Sequence, residues 1–503
     1  MENRKTFAKA TRIQCHFRGR CTKIWYNMCR SMKKYNIVIW ALFIVERCVF
    51  YVMLPLDWPF AYQRMQNLDV FSLRTDLINS LLNLHAQPPL YNLFIGLVVK
   101  IVPETFAPIV VQCIYFLLAC LTFFMYRRIA AAIIRSNFIR ICCDIAYLLF
   151  PTILFSERWF TYAFPVTAMI VALAFLTLKL SRVGPATIRY FTLFSVIAAA
   201  VVLMRSFFHL IAWMMPALLC ALYATGRVQI RRKCIIAIFS FAVAALPYCW
   251  NLSRYDMFTS STWQGMNLFR TMHYVSTPEL EKEVEGGFLH PVCRLRSFAP
   301  IRDYIEAFPQ TQESCITSQN CKVLDDEEKS SSANDRTGEV NWNHRIIPVA
   351  SRELEKGWKH LVFKYPSAYA LGVLNGLYSF FTVDVYQFWD NSDEWSPAAS
   401  KSALDFSIRT VKAIVIPVVF ILLFISSAVA FFRLMRRKST CAFALFSLGT
   451  MIYVLAISIT CELGETSIMR APIDPLCLLG FFGLIDYIAQ ARRDEGSCDD
   501  SGI

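Results

Sequence analysis

About twelve apolar runs, most of them close to the twenty residues that cross a bilayer as a helix, constrain this chain more than any other feature. They lie at 35–55, 90–102, 105–125, 140–155, 161–180, 187–204, 208–224, 233–250, 368–383, 409–432, 441–460 and 472–489. In hydrocarbon each backbone N–H and C=O must find its partner inside its own segment, so runs of this kind are read as helices. With 56% hydrophobic and only 17% charged residues, and a mean hydropathy of +0.42, the chain is too apolar for a soluble globular protein. The expected fold class is an all-α multi-pass membrane protein with about 11–13 hydrophobic helices. No internal repeat is visible, which weighs against transporters built from inverted halves.

The net charge of +14 sits in short clusters beside the apolar runs, which makes it topology information and contact with acidic headgroups. A soluble basic face for nucleic acid is not present. Residues 1–34 carry ten Lys/Arg against a single Glu2 and form a basic cytoplasmic tail; the first run is then a retained signal anchor. Cys15, Cys21 and Cys29 in this tail lack a CxxC pair and read as reduced thiols. Glu46 and Arg47 fall inside the first span, and helix neighbours do not face each other, so each is expected to pair elsewhere.

The clusters Arg227-Arg231-Arg232-Lys233, Arg433-Arg436-Arg437-Lys438 and Arg492-Arg493 belong in the cytoplasm by the same rule. That gives an N-terminal transmembrane module at 35–250, an exoplasmic insertion at 251–367, a C-terminal module at 368–489 and a cytoplasmic tail at 490–503. The run at 368–383 then begins and ends outside, as an interfacial or re-entrant helix. One parity conflict arises at 90–125. If both runs there cross, Arg127, Arg128, Arg135 and Arg140 fall outside; either 90–102 is a half-span or these arginines are an exception.

The first exoplasmic loop, 56–88, is long, polar and aromatic. It carries Asp57, Asp69 and Asp76 with Arg64 and Arg74, and it closes on His85-Ala86-Gln87-Pro88-Pro89, where the proline pair forces extended backbone. Such a segment is a candidate wall of an active site. The middle of the insertion, 311–340, is acidic and Ser-rich and is expected to be a mobile loop. Cys293, Cys315 and Cys321 lie in an oxidising compartment, where Cys315 with Cys321 is the simplest disulfide and one thiol is left over.

Four of these exoplasmic stretches resemble one family. The segment HAQPPLYNLFIG at 85–96 is similar to the end of the first exoplasmic loop in the GT-C glycosyltransferases that include protein O-mannosyltransferases and the aminoarabinose transferases of lipid A, and Asp57 sits where that family carries an acidic residue. RYDMFTSSTWQGMNLFR at 254–270 resembles its post-membrane strand. The stretch 344–381 resembles its helix, proline and apolar-helix segment, and GETSIMRAPIDPLCLLGFF at 464–482 its closing element, with Ala471 in place of an aromatic. Asp57-Trp58 stands where an acidic pair is usual, which puts a two-carboxylate metal site in doubt.

The resemblance implies transfer of a sugar from a polyprenyl-phosphate donor to a protein, lipid or glycan acceptor on the exoplasmic side, with inversion. Asp57 is the candidate base for the acceptor hydroxyl. Arg205, Arg470 and Arg158 are the phosphate candidates, because a guanidinium offers two parallel hydrogen bonds; a terminal arginine also snorkels toward headgroups. His85 orients the acceptor or ligates a metal with Asp69 or Asp76, or else serves as a loop hydrogen-bond partner. Gln87 joins it as a substrate contact, and Glu465 holds Arg470 or is solvated. The ligands of a divalent metal are not evident. The membrane is the bacterial plasma membrane or that of the endoplasmic reticulum. A transporter or lipid-linked glycan flippase is the competing class; it calls for ionisable groups within spans, and beyond Glu46-Arg47, Lys100 and Asp144 few are present.

Overall fold

The computed structural model describes residues 35–54, 56, 67–181, 187–226, 228–295, 297–308, 341–382, 415–461 and 466–499. These residues are helical with connecting turns, and there is no strand among them. The first compact unit, Met1–Pro55, contributes the helix Tyr35–Met53, 19 residues long and apolar enough to cross a bilayer. Glu46 and Arg47, neighbours in sequence, also meet one another. The Arg47 guanidinium donates to the adjacent Glu46 carboxylate and lies 4.9 Å from the Phe43 ring centroid. Both side chains are long enough to bend together, and mutual neutralisation is worth more in hydrocarbon than on an exposed helix.

The second unit, Leu56–Ile503, holds the other helices. Among the described residues seven of them are long and apolar enough to cross: Ala107–Ile133, Ala163–Leu180, Thr187–Met204, Ile230–Tyr255, Ile416–Leu434, Cys441–Thr460 and Ile468–Arg492. Asn137–Leu148 and Pro151–Arg158 make a further, broken span bent by 42°. The bend falls where Phe150 is extended before Pro151, which cannot donate to the preceding turn.

Contacts sort the ends of this bundle. At one end the Arg135 and Ser136 amides both donate to Asp486 at 2.9 Å, Arg433 lies over Tyr487, and the Cys220 thiol meets the Ala442 carbonyl. This is the basic end. At the other, the Tyr453 hydroxyl donates to Phe207 O at 2.6 Å and accepts from His209 N at 2.8 Å, while Trp159 and Ala163 pack on Ile468. This is the loop end.

The parity conflict resolves at Pro89–Ile101. Its 13 residues reach about 20 Å at 1.5 Å each, short of the roughly 30 Å of hydrocarbon. Both of its ends are tied to the first loop. Leu68 N donates to Asn92 Oδ1 at 2.8 Å near the start, and Arg74 donates to Val99 O and pairs with Glu104, each at 3.1 Å, near the finish. The loop helix Val70–Thr75 thus lies alongside it. Read as a half-span, it lets Ala107–Ile133 run with Arg127 toward the basic end, where Arg135 follows.

Pro366–Phe381 behaves likewise, as the sequence suggests. Tyr369 near its start donates to Thr460 O at 3.1 Å, and the Phe380 carbonyl near its finish accepts from Arg470 of the closing element. Both ends stay at the loop end of the bundle.

The insertion folds over that end. Its organising element is Ile346–Lys364, whose buried Ile347, Ala350, Leu354 and Leu361 recur at helical spacing while Glu353–Lys356 and Glu355–Lys359 pair on the outer face. It crosses Gln264–Arg270 closely at Gly265, where a Cβ would stand 1.8 Å from Ser351 O and where the glycine N–H donates to Ser351 Oγ. Only glycine fits there. The segment that resembles a post-membrane strand is therefore the end of one helix, a turn at 256–263 and the start of another. The expected mobile loop at 311–340, with Cys315 and Cys321, lies outside the described residues. Cys293 is a buried free thiol, its pKa pushed up to about 12 by burial, and so is inert as a nucleophile.

Candidate functional site at the loop end

The two loop carboxylates among the described residues, Asp69 and Asp76, organise backbone. Asp69 caps Val70–Thr75, accepting from Ser72 N at 3.0 Å and from its hydroxyl at 3.3 Å. Asp76 ends that helix with its own N–H and caps Leu77–Leu82 through Asn79 N at 3.4 Å. Each accepts orphan amides at a helix start, which a carboxylate does well.

His85 is buried and fully engaged. Its backbone N–H and that of Ala86 donate to Asn343 Oδ1 at 2.9 and 3.1 Å, and Asn343 Nδ2 returns a bond to Asn83 O at 3.1 Å. The ring lies 2.9 Å from Asn343 O through Nε2 and 2.7 Å from the Thr262 hydroxyl through Nδ1. A carbonyl only accepts, so Nε2 carries the proton and Nδ1 accepts from Thr262. With both nitrogens occupied, His85 ties the loop to the insertion, and it does not join Asp69 or Asp76 in a metal site. Among the described residues no three His, Cys, Asp or Glu side chains are grouped to hold a metal ion. Sequence reasoning passed over Asn343 and Thr262, which sit in polar runs that carry no helical or strand periodicity.

Burial holds His85 down to about 3, so it stays neutral where the unfolded chain would protonate near 6.5. Stability is then full above about 6.5 and is lost progressively as pH falls toward 3. Glu283, buried in the insertion, acts lower down. The Lys364 ammonium at 2.6 Å, with His360 and Tyr365 against the same carboxylate, holds it at about 2 against an ordinary 4.5. Its contribution is present above 4.5 and is lost as pH falls through 2. Unfolding temperature is expected to drop between about pH 7 and pH 4, and His85→Gln to flatten the upper part of that drop; thermal melts across the range check both.

Next to the Pro-Pro turn, the half-buried Gln87 accepts from the Ser206 hydroxyl at 3.4 Å. This joins the first loop to Arg205, the residue just past Thr187–Met204. The Arg205 side chain is 2% exposed, with its guanidinium carbon 4.6 Å from the Tyr162 ring centroid and 5.3 Å from that of Phe207. Its Nη1 and Nη2 are both buried and, among the described residues, without a hydrogen-bond partner. Tyr162 in turn meets Tyr91 edge-on, and Tyr91 reaches Tyr115, whose hydroxyl donates to Thr161 O at 2.8 Å. A guanidinium sandwiched by rings, with its fork unfilled, is a seat for a planar pair of anionic oxygens.

Arg470 is equally buried but better occupied. Its Nε donates to Asp474 Oδ1 at 3.1 Å, its Nη1 to the carbonyls of Phe380 and Thr382, and its guanidinium carbon is 3.6 Å from the Phe420 centroid. Among the described residues Nη2 alone lacks a partner. The second Asp474 oxygen accepts from Thr152 at 2.5 Å, so the pair braces four helices. Sequence reasoning passed over Asp474. Glu157 and Arg158, both buried at the end of the broken span, border Trp159 and hence Ile468. Asp57 and Glu465 lie outside the described residues. Around this geometry the chain matches no protein-family profile, no curated protein and no solved structure.

Proposed function

We propose that the chain transfers a sugar from a polyprenyl-phosphate donor to an acceptor hydroxyl at the exoplasmic face of a membrane, by the inverting route of the GT-C glycosyltransferases it resembles. The observation that carries the reading is Arg205, a buried guanidinium with an unfilled fork, stacked on Tyr162 and Phe207 and joined to the first loop through Ser206 and Gln87. Burying such a fork without acceptors costs folding free energy, so the site is built for a ligand that supplies them. Lipid phosphate is the acceptor available at the end of a membrane helix. The Pro89–Ile101 half-span and the Pro366–Phe381 helix, both turned back at this end, supply the apolar flanks for a prenyl chain.

In this reading Asp57 removes the acceptor proton and the acceptor oxygen attacks the anomeric carbon. The bond to the phosphate oxygen breaks, and the lipid phosphate leaves with its new negative charge on Arg205. Arg470, one donor short of saturation, orders the closing element.

The basic end is assigned to the cytoplasm by the positive-inside rule. Purified protein in vesicles is expected to move sugar from a dolichyl- or undecaprenyl-phosphate donor to acceptor, and Asp57→Asn to lower turnover by about 10² or more while donor binding survives. Full activity in Asp57→Asn would remove that residue from the chemistry. Movement of the intact donor across the vesicle with no transfer would establish the flippase class instead.

A further inference from the structure

At the basic end, away from the site above, Ile416–Leu434, Cys441–Thr460 and the last helix enclose an open groove of about 630 Å³. Arg433, Arg436 and Arg437 line its rim, Val429 and Leu448 its apolar wall, and Tyr487 its far side. We infer that this groove holds the headgroup of an anionic phospholipid, with its phosphodiester on the arginines and its acyl chain along the apolar wall.

The local backbone gathers the arginines. Ile416–Leu434 ends in tightened turns, Arg436 N donating to Arg433 O and Arg437 N to Leu434 O at 3.1 Å each, which closes the three positions into one patch. A plainer role would be to cap the last carbonyls of the helix. The Thr440 hydroxyl already serves one of these, donating to Leu434 O at 2.9 Å. Arg433 instead lies 4.6 Å from the Tyr487 ring and Arg436 5.9 Å from that of Phe432, and among the described residues no carboxylate pairs with any of the three. A ring contact of this kind leaves a guanidinium's N–H donors free for an anion, and all three arginines line the groove. The half-charge at a helix C-terminus disfavours an anion, but three full positive charges outweigh it.

Lipid rather than free phosphate is the occupant because the groove has two chemistries. Val429 and Leu448 belong to bilayer-crossing helices, so the apolar wall continues into hydrocarbon while the arginines sit at headgroup level. Inorganic phosphate would use only the rim.

The test uses the full chain in detergent, titrated with phosphatidylglycerol, with phosphatidylcholine and with inorganic phosphate, and read by native mass spectrometry of retained lipid. One phosphatidylglycerol is expected to be retained in preference to phosphatidylcholine. Its affinity should fall about fivefold for each arginine removed in R433Q/R436Q, since each basic side chain near anionic lipid contributes on this scale. R231Q/R232Q removes two charges at the same end outside the groove and is expected to change retention less than about twofold. Leu448→Trp, which fills the wall and touches no charge, should lower retention without moving the basic clusters that set topology. Equal loss in R231Q/R232Q would overturn the proposal in favour of diffuse surface charge. Displacement by inorganic phosphate at equal concentration, or unchanged retention in both R433Q/R436Q and Leu448→Trp, would overturn it as well.

Discussion

Arg205→Met is expected to lower sugar transfer by about 10²–10³ in kcat/KM while leaving the unfolding temperature unchanged or raising it. The two halves of this result come from one fact. Among the described residues Nη1 and Nη2 are buried with no hydrogen-bond partner, so an apolar side chain of similar length removes an unmet desolvation cost without removing a hydrogen bond between protein groups. The stacking on Tyr162 and Phe207 is largely replaced by thioether–ring contact. Catalysis loses the fork that receives the lipid phosphate. Because a phosphate contact is present in both ground and transition states, the loss should show mainly in KM for the donor, with a smaller part in kcat from the charge that develops on the leaving oxygen. Arg205→Lys should recover little, since an ammonium offers a point charge and not a planar pair of donors. Steady-state kinetics with varied donor, alongside thermal melts, separate the cases. A transfer-competent Arg205→Met would refute the phosphate seat.

Much of the architecture is legible in the sequence because periodic apolar length is a strong signal. The spans follow the apolar runs, and the turned-back course of Pro366–Phe381 follows from the side its flanking charges assign to it. Pro89–Ile101 shows the boundary of that logic. Its composition is that of a span, and only its length and the parity of Arg127 and Arg135 argue against crossing; the ties from Leu68 and Arg74 decide it. The break at Pro151 splits one apolar run into two helices, which hydropathy averages over.

The site was less legible because residue type does not reveal whether a polar group is already satisfied. His85, Asp69 and Asp76 carry the chemistry of ligands, yet both ring nitrogens of His85 are committed to Thr262 and Asn343, and one oxygen each of Asp69 and Asp76 caps a helix through Ser72 and Asn79. Arg205 and Arg470 look alike in sequence, each at the end of an apolar run. What separates them is one acidic neighbour, Asp474 at i+4 from Arg470, for which Arg205 has no equivalent.

That difference sets the second large effect. Asp474→Ala is expected to destabilise the protein by about 3–5 kcal/mol, because Arg470 would remain buried with its charge uncompensated, and Thr152 would lose its acceptor. Arg470→Met alone should cost less on the arginine side, yet it strands the Asp474 carboxylate among apolar side chains and leaves the carbonyls of Phe380 and Thr382 short of donors. The double variant R470M/D474L removes both charges together, and such replacements in packed interiors are often neutral or better, so it should be more stable than either single variant. Chemical denaturation of the three variants in detergent measures the coupling directly. The double variant also isolates function from folding. If it is stable and transfers sugar at the wild-type rate, Arg470 is a brace that orders the closing element. If it is stable and inactive, the one unpartnered nitrogen of Arg470 belongs to the reaction, and the donor phosphate is held between Arg205 and Arg470. A double variant less stable than both single ones would show that the pair contributes more than mutual neutralisation.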